Sequence, residues 1–299
     1  MSYAAHLVVY FGIYTLAAMS LNLVVGWLGL MSLAHAVFVA IGAYTAAILS
    51  VGRGVDPWLA LPVGMTFAAL AAIPLALAAD RFRGGFFILV SLAFQVIAYS
   101  AMRNAYSMGE PVGSLANLTN GVFGVAGVPR PAIGDFMFDT PLRFACLSLA
   151  FCVGGVVLCH RRLHSPWGRM LRAIRDDELA ARSLGKSVQR ARVQVFMLSA
   201  VLAAVAGWLY AGYVSYVDAN IASLDECIFL LAMVVVGGSG NIRGTLVGVA
   251  LLMAVAEVLR LLPLADADAG ALRVLLYGLL LLVVVCWRPQ GIAGEYRVQ

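Results

Sequence analysis

Apolar runs about as long as a lipid bilayer is thick recur along the whole 299-residue chain, and they constrain its fold more than any other feature. A membrane-crossing helix needs about 20 consecutive apolar residues. Runs that meet or approach this length occupy residues 6–26, 29–50, 58–79, 86–102, 142–159, 193–216, 245–259 and 272–287. A further run, 227–236, is too short to cross alone and is expected to be extended, tilted or re-entrant. The glycine-rich break at 237–244 follows it, and irregular backbone at that depth survives only when buried in protein or lining a wet cavity. The expectation is an all-α polytopic membrane protein with about 8–10 transmembrane helices, filling residues 1–299 as one transmembrane domain.

Composition excludes the soluble alternatives. The chain is 63% hydrophobic and 12% charged, against about 45–50% and about 25% in soluble domains. The net charge of +5 is no nucleic-acid signal, because the basic residues cluster in one loop and near helix ends. The N-terminus lacks a basic leader and a small-residue cleavage site, so it reads as a retained first span. Cys146, Cys152, Cys159, Cys227 and Cys286 sit in or near apolar runs, with no CxxC and no histidine at ligand spacing. They read as small packing residues, and neither a metal nor a cofactor is expected. No Ser/His/Asp set, carboxylate pair or HExxH motif appears, which disfavours an intramembrane enzyme.

One long stretch is polar, residues 161–192. Ser165 is a good N-cap and Pro166 suits the first helical position. Trp167, Met170, Leu171, Ile174 and Ala181 fall at helical spacing on one face. Arg172 with Asp176, and Glu178 with Arg182, are i,i+4 pairs. Gly185 is a natural helix stop. These features predict one amphipathic helix of about five turns, lying at the membrane face because its charges are too costly to bury in lipid. It is either a solvated loop helix or a docking helix for a cytoplasmic partner. Gly185-Lys186-Ser187 copies the end of a phosphate-binding loop, but Ala180 stands where its first glycine belongs and no strand pattern precedes it. A nucleotide site is rejected.

Basic residues gather on the cytoplasmic side of membrane proteins. Nine of them lie in 161–192, so that loop is expected inside, with Arg81, Arg83, Arg243, Arg288 and Arg297. The loop 103–140, the acidic residues Asp135, Asp139, Asp266 and Asp268, and the N-terminus are then external. Polar residues within or near spans face the bundle interior by default. Asn22, His35, Gln95 and Glu257 are the ones to weigh. Asn22 and Gln95 suit helix–helix hydrogen bonds, His35 a packed, hydrogen-bonded role, and Glu257 a local ion pair with Arg260. Small residues at Gly42, Ala43, Ala46 and Ala47, and at Ala203, Ala204, Gly207 and Ala211, predict close helix approach.

Three motifs carry a family resemblance. Residues 22–47, NLVVGWLGLMSLAHAVFVAIGAYTAA, resemble a hallmark of the Liv-type branched-chain amino acid ABC transporter permeases. Leu118-Thr119-Asn120-Gly121 is similar to the end of that family's outer-loop motif LTGGTNGL, and residues 287–292, WRPQGI, to its terminal FRPQGL. The resemblance implies a type II ABC importer fold in the bacterial inner membrane. The implied partners are a second permease subunit, two ATP-binding cassette subunits, a periplasmic solute-binding protein and the amino-acid substrate. Residues 178–185 also resemble the EAAxxxG loop of ABC importer permeases. Ala180, Ala181 and Gly185 match, while Leu179 stands at the glutamate position and Glu178 one residue earlier. The implied coupling residues are Trp167, Gly168, Arg169, Ile174, Glu178, Ala180, Ala181 and Gly185, with the Trp167–Ile174–Ala181 face set against the ATPase. Asn22, His35, Gln95, Asn120 and Glu257 are the candidates for the translocation pathway. Leu30 and Ala34 depart from the family's Gln and Gly, so a small amide such as urea stays open as cargo. A secondary transporter driven by an ion gradient, with Glu257 or His35 carrying protons, is the other alternative.

Overall fold

The computed structural model describes residues 2–260 except 83, 108, 111, 115, 116 and 135, together with 275, 278, 279, 282, 291 and 292. Most of the expected ninth span, Asp266 and Asp268, Cys286, and most of the WRPQGI motif and tail lie outside the described residues, as do Arg83 and Asp135.

Helix α1 (Ser2–Asn22) continues through a wide π turn, Leu23–Trp27. The next helix, α2 (His35–Ala47), runs into a second π turn, Ile48–Gly52. Its start differs from the expected span at 29, because residues 29–34 are not helical. Gly29 holds a left-handed φ of 72°, and a Cβ there would stand 2.6 Å from Cγ of Arg175. The Leu33 amide donates to Ser91 Oγ (3.0 Å) in place of a helical carbonyl.

Asp56 caps α3 (Pro57–Arg81) by accepting from the Trp58 amide (2.8 Å), with Pro57 in the first turn. Helix α4 (Gly85–Asn104) leads into the loop 105–140. That loop carries the short strands β1 (Val125–Ala126), β2 (Ala132–Ile133) and β3 (Phe136–Met137). Helix α5 (Pro141–Leu163) is capped by Thr140. Two short helices follow, α6 (Pro166–Asp176) and α7 (Glu178–Ser183), then the long α8 (Val188–Val214). Strand β4 (Tyr216–Val217) pairs antiparallel with β1, Val125 opposite Val217. A 3-10 turn, Ala219–Ala222, precedes α9 (Leu224–Gly237), and α10 (Ile242–Arg260) is the last continuous helix described.

Among the described residues, six helices are long and apolar enough to cross a membrane: 3–27, 35–52, 57–81, 85–104, 141–163 and 188–214. With 14 residues, α9 reaches about 21 Å, short of the roughly 30 Å hydrocarbon core. The short 227–236 run is therefore half of a broken element, entered through the 3-10 turn.

The core forms where α2 and α3 pack on α8, and α1 packs on α5 and α8. The small residues let backbones touch. A Cβ at Gly42 would run into the Ala204 carbonyl, and one at Gly207 into that of Val39. Helix α5 starts beside the loop 105–140 and ends beside α6, so those two loops stand at opposite ends of the bundle.

Candidate functional site

The 161–192 stretch is two helices, not the single five-turn helix its periodicity predicts. Asp177 leaves the helical region (φ −152°, ψ 103°) and caps α7 by accepting from the Ala180 amide (3.0 Å). An aspartate followed by a short helix-forming run is itself a start signal, and here it outweighs continuity. Helix α7 ends as Gly185 predicts. Gly185 has a φ of 75°, and Lys186 donates its amide to the Ala181 carbonyl (3.2 Å), a Schellman closure. The Gly-Lys-Ser tripeptide is thus a helix stop.

Both helices are tied to the bundle. The indole nitrogen of Trp167 donates to Gln194 Oε1 (2.9 Å). Gly168 packs against the Leu163 backbone, leaving no room for a side chain. Arg175 reaches the Gly26 carbonyl in the first π turn (2.6 Å), and it, not Arg172, meets Asp176 (3.2 Å). The expected Glu178–Arg182 pair is present at 2.7 Å; Arg182 also meets Asp80, and Glu178 also meets Arg192.

The apolar face is turned inward. Leu171, Ile174 and Ala181 are buried in the protein's own core, as is Gly168. This corrects the expectation that the Trp167–Ile174–Ala181 face is presented to an ATPase: the bundle ends cover Ile174 and Ala181, and Trp167 alone stays half-exposed. The outward surface carries Arg169, Ala173, Ala180, Ser183 and, most prominently, Leu179 (67% exposed) and Leu184 (78% exposed). Sequence periodicity missed both leucines because they fall off the face it selects. Their signal was a leucine at each end of the six-residue segment LAARSL, within an otherwise charged stretch.

The intramembrane candidates do not converge. Asn22 ties α1 to the glycine-rich break and α10: it donates to Thr245 Oγ1 (2.6 Å) and the Asn241 carbonyl (3.2 Å) and accepts from the Gly240 amide (2.9 Å). Gln95 donates to the Ala222 carbonyl (2.6 Å), anchoring the 3-10 turn on α4. Both act as helix ties. Asn120 takes a left-handed conformation (φ 59°) and closes its own turn by donating to the Gly124 carbonyl (2.7 Å). Glu257 accepts from the Tyr3 hydroxyl at the start of α1; the side chain of Arg260, its expected partner, lies outside the described residues. His35 is buried edge-to-face on Phe38, but neither ring nitrogen has a hydrogen-bond partner among the described residues. The expected packed role is present, and the Ser20 backbone is the polar group nearest to acting on the ring.

The breaks enclose polar space instead. A cavity of about 110 Å³ lies between α1, α2, α8, the 3-10 turn and α9, and Tyr14, Tyr210, Asp218, Asn220 and Glu226 line it. Glu226 arrives there because Ser223 caps α9, accepting from the Glu226 amide (3.3 Å), so the carboxylate sits in the first turn. Its other walls are aliphatic, among them Ile13, Val39 and Leu230. A larger, mainly apolar cavity of about 560 Å³ lies between α2, α3 and α4 beneath Leu118 and Thr119.

The comparisons with known proteins agree with one another. The family model described as branched-chain amino acid transport system, permease component, matches residues 3–285. The chain is 30% identical to the high-affinity branched-chain amino acid transport system permease protein LivM of Escherichia coli (strain K12), over 96% of this chain and 69% of the relative. It is 25% identical to the probable branched-chain amino acid transport permease protein LivM of Methanocaldococcus jannaschii, over 97% and 92%. It is 28% identical to the high-affinity branched-chain amino acid transport system permease protein BraD of Pseudomonas aeruginosa, over 96% and 93%. No solved structure matches.

Proposed function

The chain belongs to the family of branched-chain amino acid transport permease components, and from that premise we propose that it forms one half of the membrane path of an ATP-driven importer for branched-chain amino acids. Its partners are a second permease, two ATP-hydrolysing subunits and an external solute-binding protein. The carrying observation is the clamped α6–α7 unit with Leu179 and Leu184 outward. Two exposed leucines on a polar loop suit burial against a partner. The exposed Arg169 and Lys186 on the same loop set orientation. The polar cavity beside α9 supports a pathway residue set of Tyr14, Tyr210, Asp218 and Glu226, because broken helices in transporters line the cargo route. The bulk of family names speaks for the ABC reading over an ion-gradient carrier.

Uptake in proteoliposomes holding the whole complex is expected to require ATP and the binding protein. Uptake driven by a pH gradient alone would sink the proposal, and failure of leucine, isoleucine and valine to compete would remove the cargo assignment. Sidedness follows from the positive-inside rule. Single cysteines at Ser114 and Ser165, in a background without the native cysteines, are expected to react with an impermeant reagent on intact cells at 114 only. Labelling at 165 alone reverses the assignment.

The docking surface has its own test. A leucine fully buried on association contributes roughly 1.5–3 kcal/mol. Replacing Leu179 and Leu184 together with glutamate should weaken ATPase binding at least about a hundredfold, with normal membrane levels of the permease. ATPase co-purification at the wild-type level would place the docking surface elsewhere.

A further inference from the structure

Among the described residues, four charges form a ring at the junction of α7 with the transmembrane bundle. Asp80, in the last turn of α3, uses one oxygen to meet Arg182 (2.9 Å) and Arg192 (2.8 Å). Glu178 meets the same two arginines with its two oxygens, Arg182 at 2.7 Å and Arg192 at 2.9 Å. Charges alternate around these four residues. Its members come from three elements: α3, α7 and the start of α8. The Arg192 side chain is only 5% exposed, and its two terminal nitrogens each hold a different carboxylate. That fork is a geometry lysine cannot reproduce.

The ring sits where force must pass. Helix α6 is fastened to the α1 side, through Arg175 to the Gly26 carbonyl. Helix α7, the shorter of the two and the bearer of Leu179, is fastened to α3 and α8. Those two helices pack on each other, and both pack on α2, which borders the polar cavity through Ala36 and Val39. The break at Asp177 makes α6 and α7 separate helices rather than one rigid rod. Helix α6 is thus joined to the α1 side, and α7 to α3 and α8, and α1 and α8 both line the cavity.

We infer that the Asp80–Arg182–Glu178–Arg192 ring is the positioning contact that transmits ATPase movement into α3 and α8, as distinct from the surface that binds the ATPase. This rests on the ABC-importer reading above. The inference assigns Glu178 an internal role. Although it stands beside the family's glutamate position, both of its oxygens are turned to the permease's own arginines. A glutamate so held keeps α7 in register and leaves Leu179 to face outward.

The test uses the complete importer in proteoliposomes, with Asp80→Asn, Glu178→Gln and the conservative Asp80→Glu. Measured are ATPase co-purification, ATP hydrolysis with and without cargo-loaded binding protein, and cargo moved per ATP. Energetic coupling between linked sites is typically about 5–150-fold, so Asp80→Asn and Glu178→Gln should each lower cargo moved per ATP at least about fivefold. Co-purification and basal hydrolysis should stay at wild-type levels, and Asp80→Glu should keep most of the coupling. Loss of co-purification in parallel with transport would overturn the inference, since the ring would then only hold the docking surface in place. Unchanged coupling in both neutral variants would overturn it as well. Failure of the importer reading itself has a separate signature: the wild-type complex would show no ATP-dependent uptake.

Discussion

Replacing Gly207 with leucine is expected to prevent the bundle from assembling, and even alanine there should be damaging. Helices in lipid associate through close packing more than through expulsion of water, so backbone approach at small residues carries their stability. At the α2–α8 crossing the contact is reciprocal. Gly42 lies on the Ala204 backbone, and Gly207 lies on the Val39 carbonyl with the Ala43 amide beside it. These obstacles are main-chain atoms of a helix, which cannot rotate aside as a side-chain tip does. Overpacking a well-filled core typically costs roughly 1–3 kcal/mol, and a displaced helix backbone exceeds that range. The control is Gly154 in α5, where an added Cβ meets nothing within 4 Å. Gly154→Ala should be neutral or stabilising by up to about 1 kcal/mol, through helix propensity. The measurement is the melting temperature of purified permease in detergent, with the folded fraction from size exclusion. Equal melting temperatures for Gly207→Ala and Gly154→Ala would mean that α2 and α8 do not meet this closely.

That crossing was legible in the sequence because small residues cluster at 42–47 and 203–211, and lipid gives such clusters one main use. The long helices were legible for the same reason: length and apolarity together leave few alternatives. Boundaries were less so. The start of α2 slipped from 29 to His35 because hydropathy does not see backbone geometry. Residues 29–34 are as apolar as a span, yet Gly29 and the Ser91 hydroxyl hold them out of helix. The candidate site was legible as a region and not in its orientation. Period alone gathers Trp167, Ile174 and Ala181 on a face but cannot say whether that face meets a partner or the chain's own helix ends. The charge ring was illegible for a plainer reason. Asp80 and Arg192 lie 112 positions apart, and no local pattern links them. The one available signal was an arginine placed just inside the start of a long apolar helix, where a buried charge demands a partner.

Ala181→Glu is the substitution that best separates an inward face from an outward one. Ala181 is 3% exposed, and its carbonyl closes the end of α7 by accepting from Lys186. A glutamate there must either bury a charge or lift α7 off the bundle. Burying it unpaired costs several kcal/mol by the usual estimate. It would also stand one turn from Glu178 and add a like charge beside the ring. The expected result is a permease with a lowered melting temperature and reduced membrane level before any partner is added. ATPase co-purification then falls as a consequence. Leu184→Glu, one helical turn away on the exposed side, should leave stability within about 0.5 kcal/mol and still lose ATPase binding. The two variants thus fail in the same transport assay for different reasons, and thermal melting of the isolated permease tells them apart. If Ala181→Glu melts like the wild type while losing the ATPase, Ala181 meets a partner and α7 is turned the other way in the assembled transporter.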